Sequence, residues 1–332
     1  RNIYEYYRKY RNSINNNKKN KTMALLKVSG SPHVQSKDTT QSIMWSVVIA
    51  LIPALLVGVY FFGFRVLAVT AVSVAACVLF EWLIQKFLLK GEQTISDGSA
   101  IITGMLLAFN LPSNIPFYIV IIGALVSIGI GKMTFGGLGK NPFNPALVGR
   151  VFLFLSFPTH VAMSQWPIAK SVDALTGPTP LSLIKNGESI DLINMFIGTT
   201  GGSFGEVSAI AIILGGLFML LRKVITWHIP VAFIGSAWLF AGILYLAGIT
   251  VDPTTHILAG GLMLGAIFMA TDMATSPITK TGQIIFGVGC GLLTIIFRCF
   301  GPMPEGVSFA ILIMNAVTPL INKMCKPKKF GY

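Results

Sequence analysis

Charged side chains are scarce in this chain. Only 11% of its 332 residues are charged, whereas 53% are hydrophobic, and an ordinary soluble domain carries about 25% charged residues. Segments such as 42–63 and 229–251 contain no charge at all and reach the length that a helix needs to cross a bilayer, about 20 residues. The composition therefore excludes a soluble domain and predicts an all-α integral membrane protein with many spans.

Cysteine is also scarce, and its spacing carries no signal. The four cysteines form no CxxC pair or other ligand spacing, and the four histidines are equally scattered. Three of the cysteines fall in or at the end of apolar segments, where small buried side chains are expected. The sequence predicts no metal site and offers no residue for a catalytic role.

The positive charge lies mostly at the two ends of the chain. The net charge of +13 could indicate a nucleic-acid partner, but nine of the 25 lysines and arginines precede Ile43 and four lie within 323–332. Basic ends that flank apolar spans are typical of the cytoplasmic face of a membrane protein. With the N-terminus inside, 20 basic residues fall on the cytoplasmic side and four on the other. We therefore predict cytoplasmic termini and no nucleic-acid partner.

Ten apolar segments are predicted to be helical, and some are short enough to suggest broken or tilted helices. They lie near 42–63, 66–85, 97–111, 115–131, 144–157, 204–221, 229–249, 255–271, 282–298 and 306–322. The loop 158–203 divides them five and five. Since each half has an odd number of spans, the second half enters the membrane from the opposite side, which predicts two inverted five-helix repeats.

This count also predicts the domain organisation. Faint similarity between TGMLLAFNLP and GGLMLGAIFMA supports the duplication. The predicted parts are a cytoplasmic N-terminal extension at 1–41 that is disordered over 1–22, a first repeat at 42–157, an extracytoplasmic loop at 158–203, a second repeat at 204–322 and a basic cytoplasmic tail at 323–332.

Three acidic residues near the predicted spans are candidates for an ion path. Asp97, Glu206 and Asp272 stand close to apolar segments, where a charge is costly and usually functional. The alternative for Asp97 is an N-cap of the helix that follows, which its position favours. For Glu206, a ligand role and a capping role remain equally open.

The loop segment DALTGPTPLSL offers several hydroxyl groups, among them Thr176, Thr179 and Ser182. Thr179 stands between two prolines, which hold a chain extended. Such a residue suits a modifying enzyme, although an ordinary surface turn explains the pattern better when these residues are taken alone.

Seven separated motifs together resemble the NqrB/RnfD family of membrane subunits, most closely the RnfD subunits of ion-translocating ferredoxin:NAD⁺ oxidoreductases. They are VSGSPHV, ISDGSAIITGMLLAFNLP, GGLGKNPFNPALVGR, DALTGPTPL, GGSFGEVS, FMATDMATSP and PEGVSFAILIMN. The resemblance covers about residues 25–322.

The resemblance implies FMN attached through its phosphate to a threonine outside the cytoplasm. By the motif, the acceptor is Thr179, and Asp173, Thr176, Gly177 and Leu181 belong to the attachment motif; Pro178 stands where the family usually has alanine. The family also implies a non-covalent riboflavin, to which the motifs assign no residue.

The resemblance further implies a function and partners. The chain would be an electron-transfer subunit of the bacterial cytoplasmic (inner) membrane, coupling electron flow from reduced ferredoxin to NAD⁺ with Na⁺ or H⁺ translocation. Its partners would be RnfA, RnfB, RnfC, RnfE, RnfG, the flavin transferase and the lipid bilayer. Two alternatives stay open: a solute channel or transporter of similar fold, and a scaffold subunit that carries no flavin.

Overall fold

The computed structural model describes residues 39–90, 93–161, 165–167, 176–186, 192–198, 201–206, 208–301 and 305–326. From Thr40 onward, they belong to one compact unit. Most of the predicted extension 1–41, and the tail beyond residue 326, lie outside the described residues.

Fourteen α-helices account for most of the described chain. The first part contains α1 Thr40–Phe62, α2 Arg65–Leu83, α3 Ser99–Phe109, α4 Phe117–Gly129 and α5 Pro145–Ser156. The middle contains α6 Pro158–Val161, β1 Gln165–Pro167, β2 Thr176–Pro178, α7 Pro180–Asn186 and α8 Leu192–Ile197. The last part contains α9 Ala209–Leu221, α10 His228–Leu246, α11 Pro253–Leu258, α12 Leu262–Leu264, α13 Lys280–Phe300 and α14 Val307–Met324.

Short tighter or wider turns extend some of these helices. π-Helical turns at Ile84–Leu89 and Gly265–Met269 continue α2 and α12, and 3₁₀ turns lie at Ile95–Asp97 and Met133–Phe135. In the described chain, β1 and β2 are the departure from the all-α prediction. They pair antiparallel, with Trp166 opposite Gly177.

The helical content agrees with the predicted apolar segments, each of which contains helix. Within the described residues, six helical segments are long and apolar enough to cross a membrane, judged by length and composition, with α2 and α4 counted together with the turns that follow them. The third and fifth segments, predicted to be notably short, contain the short helices α3 and α5 of 11 and 12 residues, and α9 in the sixth segment has 13. The eighth segment is broken into α11, α12 and a π-helical turn. The chain is therefore a multi-pass membrane protein.

The helices form two groups with a shared seam. In the first part α2 packs on α3 and α4, and α4 packs on α5; in the last part α10 packs on α11 and α13, and α13 packs on α14. Helix α1 packs against α9, and α5 against α14. The functional site described below lies along this seam.

The local sequence at the start of α5 both caps this helix and links the two groups of helices. Asn144 caps the helix, because its Oδ1 accepts hydrogen bonds from the backbone N–H groups of Ala146, at 3.0 Å, and Leu147, at 3.4 Å. Pro145 occupies the first helical position, where its missing N–H is not needed. The Asn144 Nδ2 group then donates to the Met269 carbonyl, 3.2 Å away, which joins the two parts of the chain.

Glycines allow α10 and α13 to approach closely. A Cβ added at Gly291 would lie 2.0 Å from Ser236 Oγ and 2.6 Å from the Phe233 carbonyl oxygen. A Cβ added at Gly287 would lie 2.9 Å from the Ile229 carbonyl oxygen. Small residues four apart let two helix backbones touch, which is how helices associate in membranes.

Gly291→Ala is therefore expected to destabilise the protein, because the carbonyl of Phe233 cannot move without shifting α10. Overpacking of this kind costs about 1–3 kcal/mol, and it should lower the midpoint of thermal unfolding in detergent. Gly235→Ala, on α10, is the matched control, because its added Cβ meets no atom within 4 Å. Equal midpoints for the two variants would contradict the proposed close contact.

Candidate functional site

Thr179 caps helix α7. Its Oγ1 accepts a hydrogen bond from the Ser182 N–H at 3.2 Å, and its carbonyl accepts from the Ser182 hydroxyl at 2.7 Å. Pro180 follows as the first helical residue. The extended conformation expected around Thr179 thus ends at Pro178, the last residue of β2. The threonine side chain is half-buried at the point where the ribbon becomes a helix.

The other residues of the attachment motif have different settings. Thr176 and Gly177 lie in β2, and Asp173 lies outside the described residues. Leu181 is buried and packs with Met195 and Ala259. A Cβ added at Gly260, whose φ is +60°, would lie 2.7 Å from Leu181 Cδ1. The helix that follows Thr179 is therefore docked on the break between α11 and α12.

A cavity of about 430 Å³ opens beside Thr179. Three glycines, Gly201, Gly202 and Gly260, form part of its wall. Two carboxylates, those of Glu206 and Glu305, lie on the same wall. This cavity, called the Thr179 cavity below, therefore connects a half-buried threonine with two carboxylates.

A charged cavity of about 350 Å³ adjoins the Thr179 cavity and shares Leu181, Glu206 and Glu305 with it. Arg150, on α5, and Arg298, on α13, provide the positive charges of its lining. The Arg150 Nη2 group donates to Glu305 Oε2 in an ion pair between residues 155 positions apart in sequence. The ion pair ties α5 to the start of α14.

Arg298 stabilises the break in the eighth segment. Its guanidinium donates to the carbonyl oxygens of His256 and of Ala259, the latter at 2.8 Å. The last carbonyls of a helix have no partner within the helix and need one from outside. A buried arginine on α13 thus supplies the hydrogen bonds that the interrupted helix α11 lacks.

Glu206 lies against Gly261, where a Cβ would come within 2.5 Å of its Oε1. Burial, and after it the nearby charge of Glu305, raise the pKa of this carboxyl to about 7. Arg150 and Arg298 act in the opposite direction. Glu206 therefore gains or loses a proton near neutral pH. Its backbone precedes α9, whose N-cap is Ser208, so the capping alternative does not describe it.

A thin layer closes the charged cavity on its other side. Asn110 Nδ2 donates to the Leu106 carbonyl at 2.6 Å and lies 3.9 Å from the Met269 sulfur. The Met269 carbonyl accepts from Asn144. These three residues come from LAFNLP, FMATD and KNPFNP, motifs far apart in sequence that meet at one level of the structure.

A larger cavity of about 750 Å³ lies beyond this layer. Apolar residues form most of its wall, among them residues of α1, α3 and α9 and of the π-helical turn at Gly265–Met269, and seven polar groups converge on it. These polar groups are Ser99, Thr103, Lys132, Asn141, Asn144, Thr271 and Asp272. An apolar lining with a few convergent polar groups is typical of sites for small organic molecules.

A buried ion pair lies at the edge of this cavity. Lys132 Nζ donates to the two carboxylate oxygens of Glu81, at 2.9 and 2.7 Å, and to Ser99 Oγ at 2.6 Å. The two side chains are 2% and 0% exposed. The count of basic residues treated Lys132 as a cytoplasmic loop charge. The structure instead buries its side chain against Glu81.

The three predicted ion-path residues are not brought together. Asp97 Oδ1 accepts from the Ser99 N–H at 2.8 Å and from its hydroxyl at 2.6 Å. The predicted N-cap role is wrong, because the N-cap of α3 is Gly98 and Asp97 ends the 3₁₀ turn before it. Asp272 Oδ2 accepts from the Thr275 hydroxyl at 3.3 Å, and burial raises its pKa. Asp97 and Asp272 belong to the Lys132 side of the layer and Glu206 to the Thr179 side. Their role in an ion path stays a prediction.

Sequence reasoning singled out some of these charges without finding their partners. Glu81, Arg150 and Glu305 can be found from the sequence because they are ionisable residues near apolar segments. Lys132 and Arg298 resembled ordinary loop charges, because each stands next to the end of an apolar segment. Within the described residues, no group of three or more His, Cys, Asp and Glu side chains could hold a metal.

Comparison with known proteins places the chain in a family. The NQR2, RnfD, RnfE family matches residues 27–331. The chain belongs to this family. The resemblance carried by the seven motifs is thereby confirmed.

Family members of known activity are similar over nearly the whole chain. The D subunit of the Na⁺-translocating ferredoxin:NAD⁺ oxidoreductase complex from Acetobacterium woodii is 46% identical over 92% of this chain and 95% of its own length. The D subunit of the proton-translocating complex from Clostridium ljungdahlii is 47% identical over 92% and 96%. The D subunit of the ion-translocating oxidoreductase complex from Stutzerimonas stutzeri is 34% identical over 89% and 93%.

Proposed function

We propose that this family member is the D subunit of an ion-translocating ferredoxin:NAD⁺ oxidoreductase complex and carries FMN on Thr179. The observation that carries the proposal is the placement of Thr179, which lines a cavity together with two carboxylates and next to a cavity lined by the buried Arg150 and Arg298. Electrons that originate from ferredoxin would pass through this subunit on their way to NAD⁺, linked to movement of Na⁺ or H⁺. The subunit alone completes no reaction.

The residues around Thr179 fit a flavin attached there. The hydroxyl is half-buried, so a transferase can reach it, and the hydrogen bonds to Ser182 fix its position. The three glycines of the Thr179 cavity have no side chain, so a flavin could approach the backbone closely there. When bound, the flavin supplies reversible electron transfer, and the protein supplies position and electrostatic environment.

The cavity of about 750 Å³ fits the second flavin that the family implies. Riboflavin lacks the phosphate of FMN and is uncharged, and this cavity has apolar walls with a few convergent polar groups. Thr103, Asn141 and Thr271 could orient such a ring, and Lys132 is already fully paired. The thin layer of Asn110, Asn144 and Met269 would then separate the two flavins.

Two inverted five-helix repeats account for the packing. In this proposal α1 to α5 correspond to α9, α10, the broken segment α11–α12, α13 and α14. The pairs α2–α4 and α10–α13, and likewise α4–α5 and α13–α14, pack in corresponding ways. With both termini in the cytoplasm, as the basic residues favour, Thr179 lies on the opposite face.

The family supports further proposals about the surroundings of the chain. The partners would be RnfA, RnfB, RnfC, RnfE and RnfG, with the flavin transferase acting during maturation, in the bacterial cytoplasmic membrane. The Acetobacterium relative translocates Na⁺ and the Clostridium relative protons, as their names state. Similarity to both leaves the coupling ion of this chain open.

The test is the flavin content of the purified chain, produced in a host that has the flavin transferase. Fluorescence that stays with the denatured chain in a gel would support a covalent flavin, and flavin released by denaturation would support a second site. Absence of both would favour the scaffold alternative. Passage of small neutral solutes into vesicles that contain the chain would favour the channel alternative.

A further inference from the structure

Glu206 occupies the wall between two cavities. The Thr179 cavity and the charged cavity share Glu206, Glu305 and Leu181 as lining residues. Of the two carboxylates, Glu305 is held by its ion pair with Arg150. Glu206 has no ion pair among the described residues, and its carboxylate lies against the backbone of Gly261. It is therefore the carboxylate of this wall that can change its protonation without breaking an ion pair.

The charges of Glu206 and of the groups that face it sum to zero only when Glu206 is ionised. They are Glu305, Arg150 of α5 and Arg298 of α13, so two positive charges face two carboxylates. Arg150 is 3% exposed and lines the charged cavity, and its Nη1 has no hydrogen-bond partner among the described residues. Arg298 is 5% exposed, and in the same part of the chain its Nε finds no partner either. Buried N–H donors that lack an acceptor favour additional negative charge nearby.

We propose that Glu206 is a redox-linked proton site, which takes up a proton when negative charge enters the Thr179 cavity and releases it when that charge leaves. The proposal rests on the proposed function, because the charge is that of electrons reaching the FMN on Thr179. The electrons come from the ferredoxin-driven donor side of the complex. The proton comes from water through the Thr179 cavity and converts the carboxylate to a carboxylic acid, so charge is balanced.

The direction of the effect follows from electrostatics. Added negative charge disfavours an ionised carboxylate nearby and so raises its pKa. Since the pKa of Glu206 is about 7 without that charge, the group is already protonated below pH 7 whatever the flavin carries. Proton uptake linked to reduction should therefore occur above pH 7 and fade below it.

The test is the midpoint potential of the Thr179-bound flavin as a function of pH, measured on the full flavinylated chain in detergent. Spectra of Thr179→Ala chains, which lack this flavin, are subtracted. One extra proton for two electrons changes the midpoint by about 30 mV per pH unit, because that is a tenfold change in the equilibrium constant. Glu206→Gln should make the slope about 30 mV per pH unit shallower above pH 7 and leave it unchanged near pH 6.

Two further variants keep the test interpretable. Asp252→Asn removes an exposed carboxylate outside both cavities and should leave the slope unchanged. Gly261→Ala places a Cβ against the Glu206 carboxylate and should move the pH at which the slope changes without abolishing the change. Covalent fluorescence shows for each variant that the chain is folded and flavinylated.

The outcomes separate this proposal from the function on which it rests. Identical slopes for the wild type and Glu206→Gln, with flavin present in both, would overturn the proton site alone. A midpoint that depends on Na⁺ concentration instead of pH, and loses this dependence in Glu206→Gln, would also overturn it in favour of a cation site. Absence of flavin in the wild type would instead remove the proposed function.

Discussion

Thr179→Ala is expected to remove covalent flavin from this protein completely. The phosphoester needs an oxygen on the side chain, and alanine has none, so in-gel fluorescence of the denatured chain should fall to background. The substitution also removes the acceptor for the Ser182 N–H, and loss of such a cap costs about 0.5–2 kcal/mol. The membrane helices do not depend on this cap, so the chain should still be recovered from the membrane.

Neighbouring hydroxyls provide the controls for this result. Thr179→Ser keeps both an acceptor oxygen and the cap, and it should keep the fluorescence. Ser182→Ala removes the 2.7 Å hydrogen bond to the Thr179 carbonyl but leaves the Thr179 hydroxyl, so it should also stay fluorescent. Thr176→Ala tests the other threonine of the motif. Loss of fluorescence in Thr176→Ala together with its survival in Thr179→Ala would show that the acceptor is misassigned.

Pro178 is the one departure from the family motif, and its position makes the departure tolerable. It lies in β2, which is an edge strand of a two-stranded sheet among the described residues, and proline is tolerated on edge strands. We therefore expect Pro178→Ala to carry as much covalent flavin as the wild type. A large gain in fluorescence for Pro178→Ala would show instead that the proline hinders the transferase.

The helices could be predicted from sequence because their signal is local. A run of apolar residues is visible without knowledge of the fold, and segments such as 42–63 correspond closely to α1 Thr40–Phe62. The break in the eighth segment and its stabilisation by Arg298 were not predicted, because Arg298 is 42 and 39 positions away from the carbonyls that it binds.

The partners of the buried charges could not be predicted, because they lie far apart in sequence. Glu81 and Lys132 are 51 positions apart, and Arg150 and Glu305 are 155 positions apart. Single-sequence reasoning identifies a costly charge near a span, but it cannot tell which other charge compensates it. For the same reason the convergence of Asn110, Asn144 and Met269 from three motifs appears only in the fold.

Lys132→Met is expected to be among the most destabilising single substitutions in this chain. It leaves the Glu81 carboxylate, which is 0% exposed, without its positive partner. Breaking a buried ion pair from one side costs about 3–5 kcal/mol, because an uncompensated charge stays behind. The measurement is the thermal unfolding midpoint of the purified chain in detergent, without added flavin. Lys280→Met, at an exposed lysine that starts α13, is the control and should change little.

The double variant Lys132→Met with Glu81→Leu shows whether the loss of stability comes from the unpaired Glu81 charge or from altered packing. Replacing both members of a buried pair by apolar residues is often neutral or stabilising, so the double variant should recover most of the midpoint that Lys132→Met loses. Recovery would be incomplete to the extent that the Lys132 hydrogen bond to Ser99, and through it the contact with Asp97, also matters. A double variant as unstable as the single one would contradict this account, because the loss would then lie in packing around the end of α4 and not in the unpaired charge.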